Sequence, residues 1–172
     1  MNLDSYVIRR FQEEDAEPCF KMRTEAFLKI FYNEIGPNNV AVGINAYMPR
    51  DYVRLAETMP TFVASDDRGP VGFITLRFID QATSEILFVY VQMDLLGQGL
   101  GTRLVGYAEQ WVQEKHPEID RIVVDTVIPN YNQGFYEKLG YKRIGESECE
   151  YPAGPVKAVR LAKNLRSVEP EI

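Results

Sequence analysis

The fold of this chain is constrained most by a glycine-rich turn that joins an apolar strand to an amphipathic helix. The strand is predicted over residues 84–91, three glycines occupy alternate positions from Gly97 to Gly101, and the helix is predicted from about residue 99 to 115. Glycine adopts positive φ and has no Cβ atom, so the backbone N–H groups of such a turn can converge on one anion at the helix N-terminus. A further strand is predicted at residues 121–127. A strand, a helix and a strand in this order predict a right-handed crossover between parallel strands of one sheet.

A diphosphate group matches this turn, although two familiar phosphate-binding motifs fail on spacing. The dinucleotide fingerprint Gly-x-Gly-x-x-Gly requires a further glycine where the chain has Thr102 or Leu104, and a P-loop requires a lysine that the turn lacks. Three or four charge-assisted hydrogen bonds of about 1.5–3 kcal/mol each would hold an anionic cofactor with micromolar affinity. The alternative is that the glycines only make a tight connection between the strand and the helix.

The remaining strand and helix signals predict a mixed sheet covered by helices. Further strands are predicted at residues 6–10, 61–65, 71–79, 141–150 and 156–165, and further helices from about residue 15, after Pro49 and over residues 131–139. The order β-α-α-β-β-β-α-β-α-β-β predicts an α+β, three-layer fold, in which helices flank a largely antiparallel sheet of six to seven strands. Residues 32–48 are rich in Asn and Gly with weak periodicity, and they receive no assignment.

The length and composition are those of one soluble domain. The chain has 172 residues, of which 45% are hydrophobic and 26% are charged, and these values are typical of soluble globular proteins. We expect a single domain over residues 1–166 and a short C-terminal tail over residues 167–172. The start of the chain lacks a basic and apolar leader, and the longest apolar run, residues 86–91, is far shorter than a bilayer requires. These features predict a cytoplasmic protein with no membrane partner.

Charge and side-chain chemistry argue against several function classes. The net charge of −6 would repel phosphate backbones, which disfavours nucleic acid as a partner and mildly favours a cationic small molecule or peptide. The single histidine, His116, argues against His-pair zinc sites and hydrolytic triads. Cys19 and Cys149 lie 130 positions apart and form neither a metal-binding nor a redox spacing. We therefore expect no metal.

A second constellation follows the strand at residues 121–127. Within residues 129–141, Phe135 and Leu139 lie four apart on one predicted helix face, and Gly140 suits the left-handed position after the helix. Tyr136 is adjacent to that face. Taken alone, such a tyrosine is more often a half-buried packing residue than a catalytic one.

The glycine turn and the sequence Phe-Tyr-Glu-Lys-Leu-Gly-Tyr at residues 135–141 together resemble the GNAT superfamily of acyl-CoA-dependent N-acetyltransferases. Residues 6–16 also resemble the first strand and helix start of that family. The resemblance implies a GNAT-like acyl-CoA N-acyltransferase fold, acetyl-CoA as the acyl-donor co-substrate, no metal, and direct transfer of the acetyl group to a primary amine in a ternary complex. The amine is left open among a small molecule, a peptide N-terminus and a lysine.

The resemblance also implies which residues bind the cofactor. Gly99 and Gly101 match the glycines of the family pattern Arg/Gln-x-x-Gly-x-Gly/Ala, and Leu96 occupies the Arg/Gln place, which removes a side-chain donor but leaves the backbone donors. The amides of this turn are expected to hold the CoA pyrophosphate, and the preceding strand edge is expected to pair with the pantetheine arm as an added strand does. The implied cofactor-binding residues are Val89, Val91, Leu96, Gly97, Gln98, Gly99, Leu100, Gly101 and Thr102.

Two side chains are implied in proton transfer. Tyr136 matches the family tyrosine that protonates the departing CoA thiolate. A primary amine with a pKa of about 10.4 is protonated at pH 7, so a proton acceptor is also required, and Glu85 lies at a position that is acidic in several relatives. The alternative is that Glu85 is a surface residue near a turn. The family asparagine usually lies seven residues before the tyrosine, whereas Asn130 and Asn132 lie six and four before it, so that role is left unassigned.

Two other functions remain open on the sequence. A non-catalytic acyl-CoA-binding or sensor module would bind the ligand without turnover, and a structural domain would have no ligand in its glycine turn. In the family the first helices usually form the wall of the acceptor site, and they correspond to about residues 27–59 here. The identity of the acceptor, the acyl-chain preference, the general base and the oligomeric state, a homodimer included, are left open.

Overall fold

Seven strands and six α-helices make up the described part of the protein. The computed structural model describes residues 5–127, 134–151 and 154–166. The strands are β1 (Val7–Arg10), β2 (Thr61–Asp66), β3 (Gly69–Phe78), β4 (Thr83–Val91), β5 (Arg121–Val127), β6 (Lys142–Cys149) and β7 (Val156–Asn164). The α-helices are α1 (Ala16–Ala26), α2 (Tyr32–Ile35), α3 (Pro37–Asn45), α4 (Pro49–Thr58), α5 (Leu100–Lys115) and α6 (Phe135–Lys138), and a π-helical segment, Phe27–Phe31, connects α1 to α2.

The strands form one mixed sheet in the order β1-β2-β3-β4-β5-β7-β6. β4 and β5 pair in parallel, and the other neighbouring strands in the described ranges pair antiparallel. The parallel pair is the one that α5 connects, as the strand–helix–strand pattern predicts. The predicted fold class, a largely antiparallel sheet of six to seven strands flanked by helices, is therefore confirmed.

The two parallel strands separate after only three paired residues each. Thr83–Glu85 of β4 pair with Arg121–Val123 of β5, and within the described residues the pairing ends there. A bulge lies next to this point, because Thr75 of β3 opposes Phe88 while Leu76 opposes Ile86, which leaves Leu87 without an opposite residue. Such a bulge bends its strand away from its neighbour. From residue 86 to residue 91, the edge of β4 that faces β5 therefore has no β-sheet partner in the part of the chain that the structure describes.

Each face of the sheet packs against its own set of helices. α5 buries Leu104, Ala108 and Val112 in the main core with Ile74 and Ile86 of the sheet. On the opposite face, α1 and α4 pack against alternate strand residues; this second cluster contains Cys19, Met22, Tyr52, Val63, Phe73 and Phe88. No helix in the described ranges combines the length and the apolar character that crossing a membrane requires.

Residues 27–45 are helical, although their periodicity is too weak to predict it. The π-helical segment, α2 and α3 follow one another, and Gly36 with φ of 81° separates the last two. Their stability comes from tertiary contacts, because Phe27, Ile35 and Val40 bury against Val127 of β5. A Cβ atom on Gly43 would lie 2.3 Å from the Phe27 ring, so the glycine in α3 permits the close approach of the two segments.

The helix predicted at residues 131–139 is only partly within the described residues. Its described part is α6, and the preceding residues 128–133 lie outside the described ranges. The predicted helix start at residue 99 differs by one position, since Gly99 is the residue before the first turn of α5.

Candidate active site

The glycine turn between β4 and α5 presents a row of unused backbone donors. Gly97 has φ of 75° and Gly99 has φ of 89°, a left-handed conformation that side chains other than glycine disfavour. Among the described residues, five N–H groups of the turn donate no hydrogen bond to a backbone carbonyl; they belong to Gly97, Gly99, Leu100, Gly101 and Thr102. The Leu100 side chain is fully buried in the main core, so it anchors the turn and only its amide is available to a ligand.

These amides lie where the positive end of a helix dipole adds to them. α5 is 16 residues long, and its first N–H groups have no intrahelical acceptor. The Leu96 side chain is 47% exposed and supplies no donor, which agrees with the departure from the family pattern at that position. A diphosphate bound here would therefore be held by main-chain donors.

We expect Gly99→Ala to weaken CoA binding about tenfold or more. Alanine at a φ of 89° costs about 1–2 kcal/mol, and relief of that strain would turn the adjacent amide away from the ligand, with the loss of a charge-assisted hydrogen bond of about 1.5–3 kcal/mol. Calorimetric titration with CoA measures the effect. The matched control is Gly106→Ala in the exposed middle of the same helix, where a Cβ atom meets nothing within 4 Å. The control should bind CoA normally and gain about 0.5–1 kcal/mol in stability; equal affinity of the two variants would contradict a role for the Gly99 conformation.

The edge of β4 that follows Glu85 leads directly to these amides. Val89 and Val91 pair with Ile74 and Gly72 of β3 on one side, and the opposite edge has no strand partner within the described residues. An extended chain that carries amide groups can occupy such an edge through main-chain hydrogen bonds. The predicted cofactor-binding residues are thus contiguous, along the free edge and around the turn.

Glu85 lies where β4 and β5 separate. It is the last β4 residue paired with β5, opposite Val123, and its exposed fraction is 6%. Nε of Arg77, on the neighbouring strand β3, donates a hydrogen bond of 2.8 Å to Oε2 of Glu85, and a terminal nitrogen of Arg77 also contacts that oxygen. The alternative that Glu85 is a surface residue is therefore wrong, because it is a buried carboxylate paired with Arg77.

Tyr136 lies in α6 next to the glycine turn. Its exposed fraction is 6%, and it belongs to the same core cluster as Val91 and Leu100. The neighbouring Phe135 ring lies 3.4 Å from the position of a Cβ atom on Gly101, so α6 packs closely on the start of α5. Burial raises the pKa of the Tyr136 phenol, and the nearby Tyr90 phenol raises it further. Tyr136 therefore retains its proton at neutral pH, as a proton donor must. The two candidate asparagines, Asn130 and Asn132, lie outside the described residues.

Sequence reasoning missed a cluster on the α1 side of the strand separation. It consists of Arg23, Tyr52, Tyr90 and Tyr151. The pKa of each of these three tyrosines is raised mainly by burial, to about 12 for Tyr151, and is lowered in part by the charge of Arg23. The sequence does contain an indication that Arg23 is unusual. It lies midway between Cys19 and Phe27 on the buried face of a helix, where an arginine requires an explanation.

The buried phenols predict a loss of stability above pH 10. Burial is the largest cause of the raised pKa of Tyr52, Tyr136 and Tyr141. In the unfolded chain these groups lose their protons near pH 10 while the folded protein keeps them, so stability is complete below pH 10 and falls as the pH rises. Each contributes a slope of about 1.4 kcal/mol per pH unit. Urea unfolding between pH 8 and 11, followed with tyrosinate absorbance, should show ionisation and unfolding together; ionisation of all tyrosines in the folded protein would refute this.

Solved structures of similar fold show that this chain has the acyl-CoA N-acyltransferase class of fold. The PaiA N-acetyltransferase of Thermoplasma acidophilum, in complex with coenzyme A, has a TM-score of 0.77 at 19% identity, with coverage of 93% of this chain and 99% of that chain. An N-acetyltransferase of Staphylococcus aureus Mu50 has a TM-score of 0.70 at 16% identity, covering 94% and 99%. The ribosomal-protein-S18-alanine N-acetyltransferase of Escherichia coli has a TM-score of 0.67 at 14% identity, covering 97% and 98%.

A family model described as the Acetyltransferase (GNAT) family matches residues 14–141. The match covers most of the chain, which therefore belongs to the GNAT acetyltransferase family. No curated protein matches the chain at a significant level. Acetyl-CoA is the acyl-donor co-substrate of this family, and the free amides and the free edge of β4 suit its diphosphate and its amide-bearing arm. In the described ranges, no group of three or more His, Cys, Asp or Glu side chains is arranged to hold a metal ion.

Proposed function

We propose that the protein is an N-acetyltransferase that transfers the acetyl group of acetyl-CoA directly to a primary amine while both substrates are bound. One observation carries the proposal: the strand separation begins at a buried carboxylate, Glu85, and leads along the free edge of β4 to five unused amides. A binding site for the acyl donor needs the edge and the amides. The buried carboxylate beside them is an additional feature that simple binding does not require.

Different residues of the chain then bind, orient and exchange protons with the two substrates. The amides of the glycine turn bind the diphosphate, and the edge of β4 orients the arm that carries the thioester. Glu85 accepts a proton from the ammonium form of the acceptor, directly or through water, so that the neutral nitrogen can attack the carbonyl carbon. A C–N bond forms and the C–S bond breaks, and the nitrogen, which is positively charged after the attack, releases one proton to solvent to give the neutral amide. Tyr136 gives its proton to the departing thiolate, and the proton that Glu85 holds returns to the phenol through solvent.

The proposal is tested by measuring thiol release from acetyl-CoA across a panel of amines. The panel contains polyamines, aminoglycosides, free amino acids, amino acid amides, lysine-containing peptides and peptides with free N-termini. We expect CoA release and an N-acetylated product with at least one class, and no acetyl group attached to the protein. Calorimetry with CoA runs in parallel. CoA binding without turnover in any class would favour the sensor module instead, and absence of CoA binding would favour a structural domain.

A further inference from the structure

Arg23 is a buried cation without an anionic partner among the described residues. It lies in the second half of α1 with an exposed fraction of 5%. Its Nη1 donates a hydrogen bond of 2.8 Å to the carbonyl oxygen of Gly43 in α3, while its Nε has no hydrogen-bond partner in the described ranges. Within the same ranges, no carboxylate oxygen lies within 4.0 Å of its guanidinium group.

Aromatic rings surround the guanidinium group but do not neutralise it. Its central carbon lies 4.4 Å from the centroid of the Phe27 ring, 5.1 Å from that of Tyr47 and 5.4 Å from that of Phe88. Cation–π contacts of this kind stabilise the charge in part. A buried charge without a counter-ion remains unfavourable, and the unpaired Nε–H of Arg23 is a donor at which an anionic ligand would gain most.

The position of Arg23 connects it to the candidate active site. Phe88 belongs to the stretch of β4 beyond Glu85, where the two parallel strands have separated. Tyr90 lies on the same stretch. Beyond the effect of burial, the charge of Arg23 lowers the pKa of Tyr90 in part, and Tyr90 in turn raises the pKa of Tyr136. Tyr151, which follows β6, packs against the cluster that contains Phe27 and Val127, and beyond burial its pKa is influenced by Tyr90 and Arg23. Arg23, on the buried face of α1, therefore faces the part of β4 that lies beyond the strand separation.

We propose that Arg23 binds the carboxylate of the acceptor, so that the acceptor is a small amine that also carries a carboxylate group. The proposal rests on the proposed function and specifies its substrate class. A guanidinium group presents paired N–H donors that match a carboxylate, and the aromatic rings around it suit an amino acid with an apolar side chain. The negative net charge of the chain, which on its own favours cationic amines, is a property of the whole surface. The local charge at this site is positive.

The test compares matched acceptors that differ only in the carboxylate. L-phenylalanine, L-methionine and L-leucine are each paired with their carboxamides, and kcat and KM are measured for the unaltered protein, Arg23→Gln and Arg23→Lys. We expect Arg23→Gln to lower kcat/KM for the amino acids by about 10- to 100-fold, mainly through KM, and to change the values for the carboxamides less than about threefold. Arg23→Lys should lie between, because it keeps the charge but loses the paired donors. Comparing variants on each acceptor cancels the intrinsic reactivity of the amines.

Folding and charge are controlled separately. Melting temperature and CoA affinity are measured for each variant, and Arg143→Gln removes an exposed guanidinium group from β6 as a control for net charge. If Arg23→Gln does not fold, the amino acids and their carboxamides are compared for the unaltered protein and Arg23→Lys alone. An equal loss for amino acids and carboxamides would mean that Arg23 only supports the fold and would overturn the proposal, as would a preference of the unaltered protein for the carboxamides or polyamines.

If the proposed function fails, the carboxylate site is still tested by measuring amino acid binding without turnover. If no amine is acetylated, the melting temperature of the CoA-saturated protein is measured with each amino acid and its carboxamide. A rise with the amino acids that Arg23→Gln abolishes would support the carboxylate site in a protein without turnover. No rise with any amino acid would overturn it.

Discussion

Replacing Tyr136 by phenylalanine should lower kcat for acetyl transfer by about 10²–10⁴-fold and leave the affinity for CoA unchanged. The phenol is buried, and burial raises its pKa, so it carries a proton at neutral pH and can give it to a departing thiolate. Phenylalanine keeps the ring that packs 4.9 Å from Phe135 and 5.6 Å from Tyr141. Steady-state thiol release and calorimetric titration with CoA measure the two quantities on the same preparation.

The control for Tyr136 is the adjacent Tyr141→Phe. Tyr141 is also a buried phenol, but after burial itself the main influence on its pKa is the Glu109 carboxylate of α5. Its variant should keep kcat within about threefold of the unaltered protein. A normal rate in Tyr136→Phe would remove Tyr136 from the mechanism, and equal losses in both variants would indicate that they act through packing.

Local patterns predicted the parts of the fold that depend on short-range chemistry. The glycine turn requires positive φ at Gly97 and Gly99, and that requirement is visible as glycine in the sequence. The helix that follows buries residues at regular helical spacing, and the strand after it is a continuous apolar run. A strand, a helix and a strand of these lengths leave few arrangements besides a parallel pair, which is what β4 and β5 form.

Features that depend on distant contacts were not predictable in this way. The bulge at Leu87 lies next to the point where β4 leaves β5, and it is a property of how β4 pairs with β3, which a single strand does not encode. Residues 27–45 are helical because Phe27, Ile35 and Val40 bury against β5, a contact that overrides weak helical periodicity. The burial of Glu85 was not predictable for the same reason. Only the strand pairing shows that β3 and β5 lie on either side of it.

Replacing Glu85 by glutamine should lower kcat/KM for the amine by about 10²–10³-fold near pH 7, with a deficit that shrinks as the pH rises. Glutamine keeps the shape of the side chain but accepts no proton, so the variant depends on amine that solvent has already deprotonated. That fraction increases about tenfold per pH unit below the pKa of the acceptor. Rates measured between pH 7 and pH 9.5 should therefore converge with those of the unaltered protein.

The pH dependence separates a proton acceptor from a structural carboxylate. Glu85→Gln also removes the partner of Arg77, whose side chain is 47% exposed, so solvent can compensate the freed guanidinium and the protein should still fold. The control is Glu109→Gln, which removes a largely buried glutamate of α5 from its pair with Lys163 of β7. It should leave the rates unchanged at every pH. A deficit in Glu85→Gln that stays constant from pH 7 to pH 9.5 would mean that Glu85 holds Arg77 and the strand separation in place, and that the proton of the amine leaves by another route.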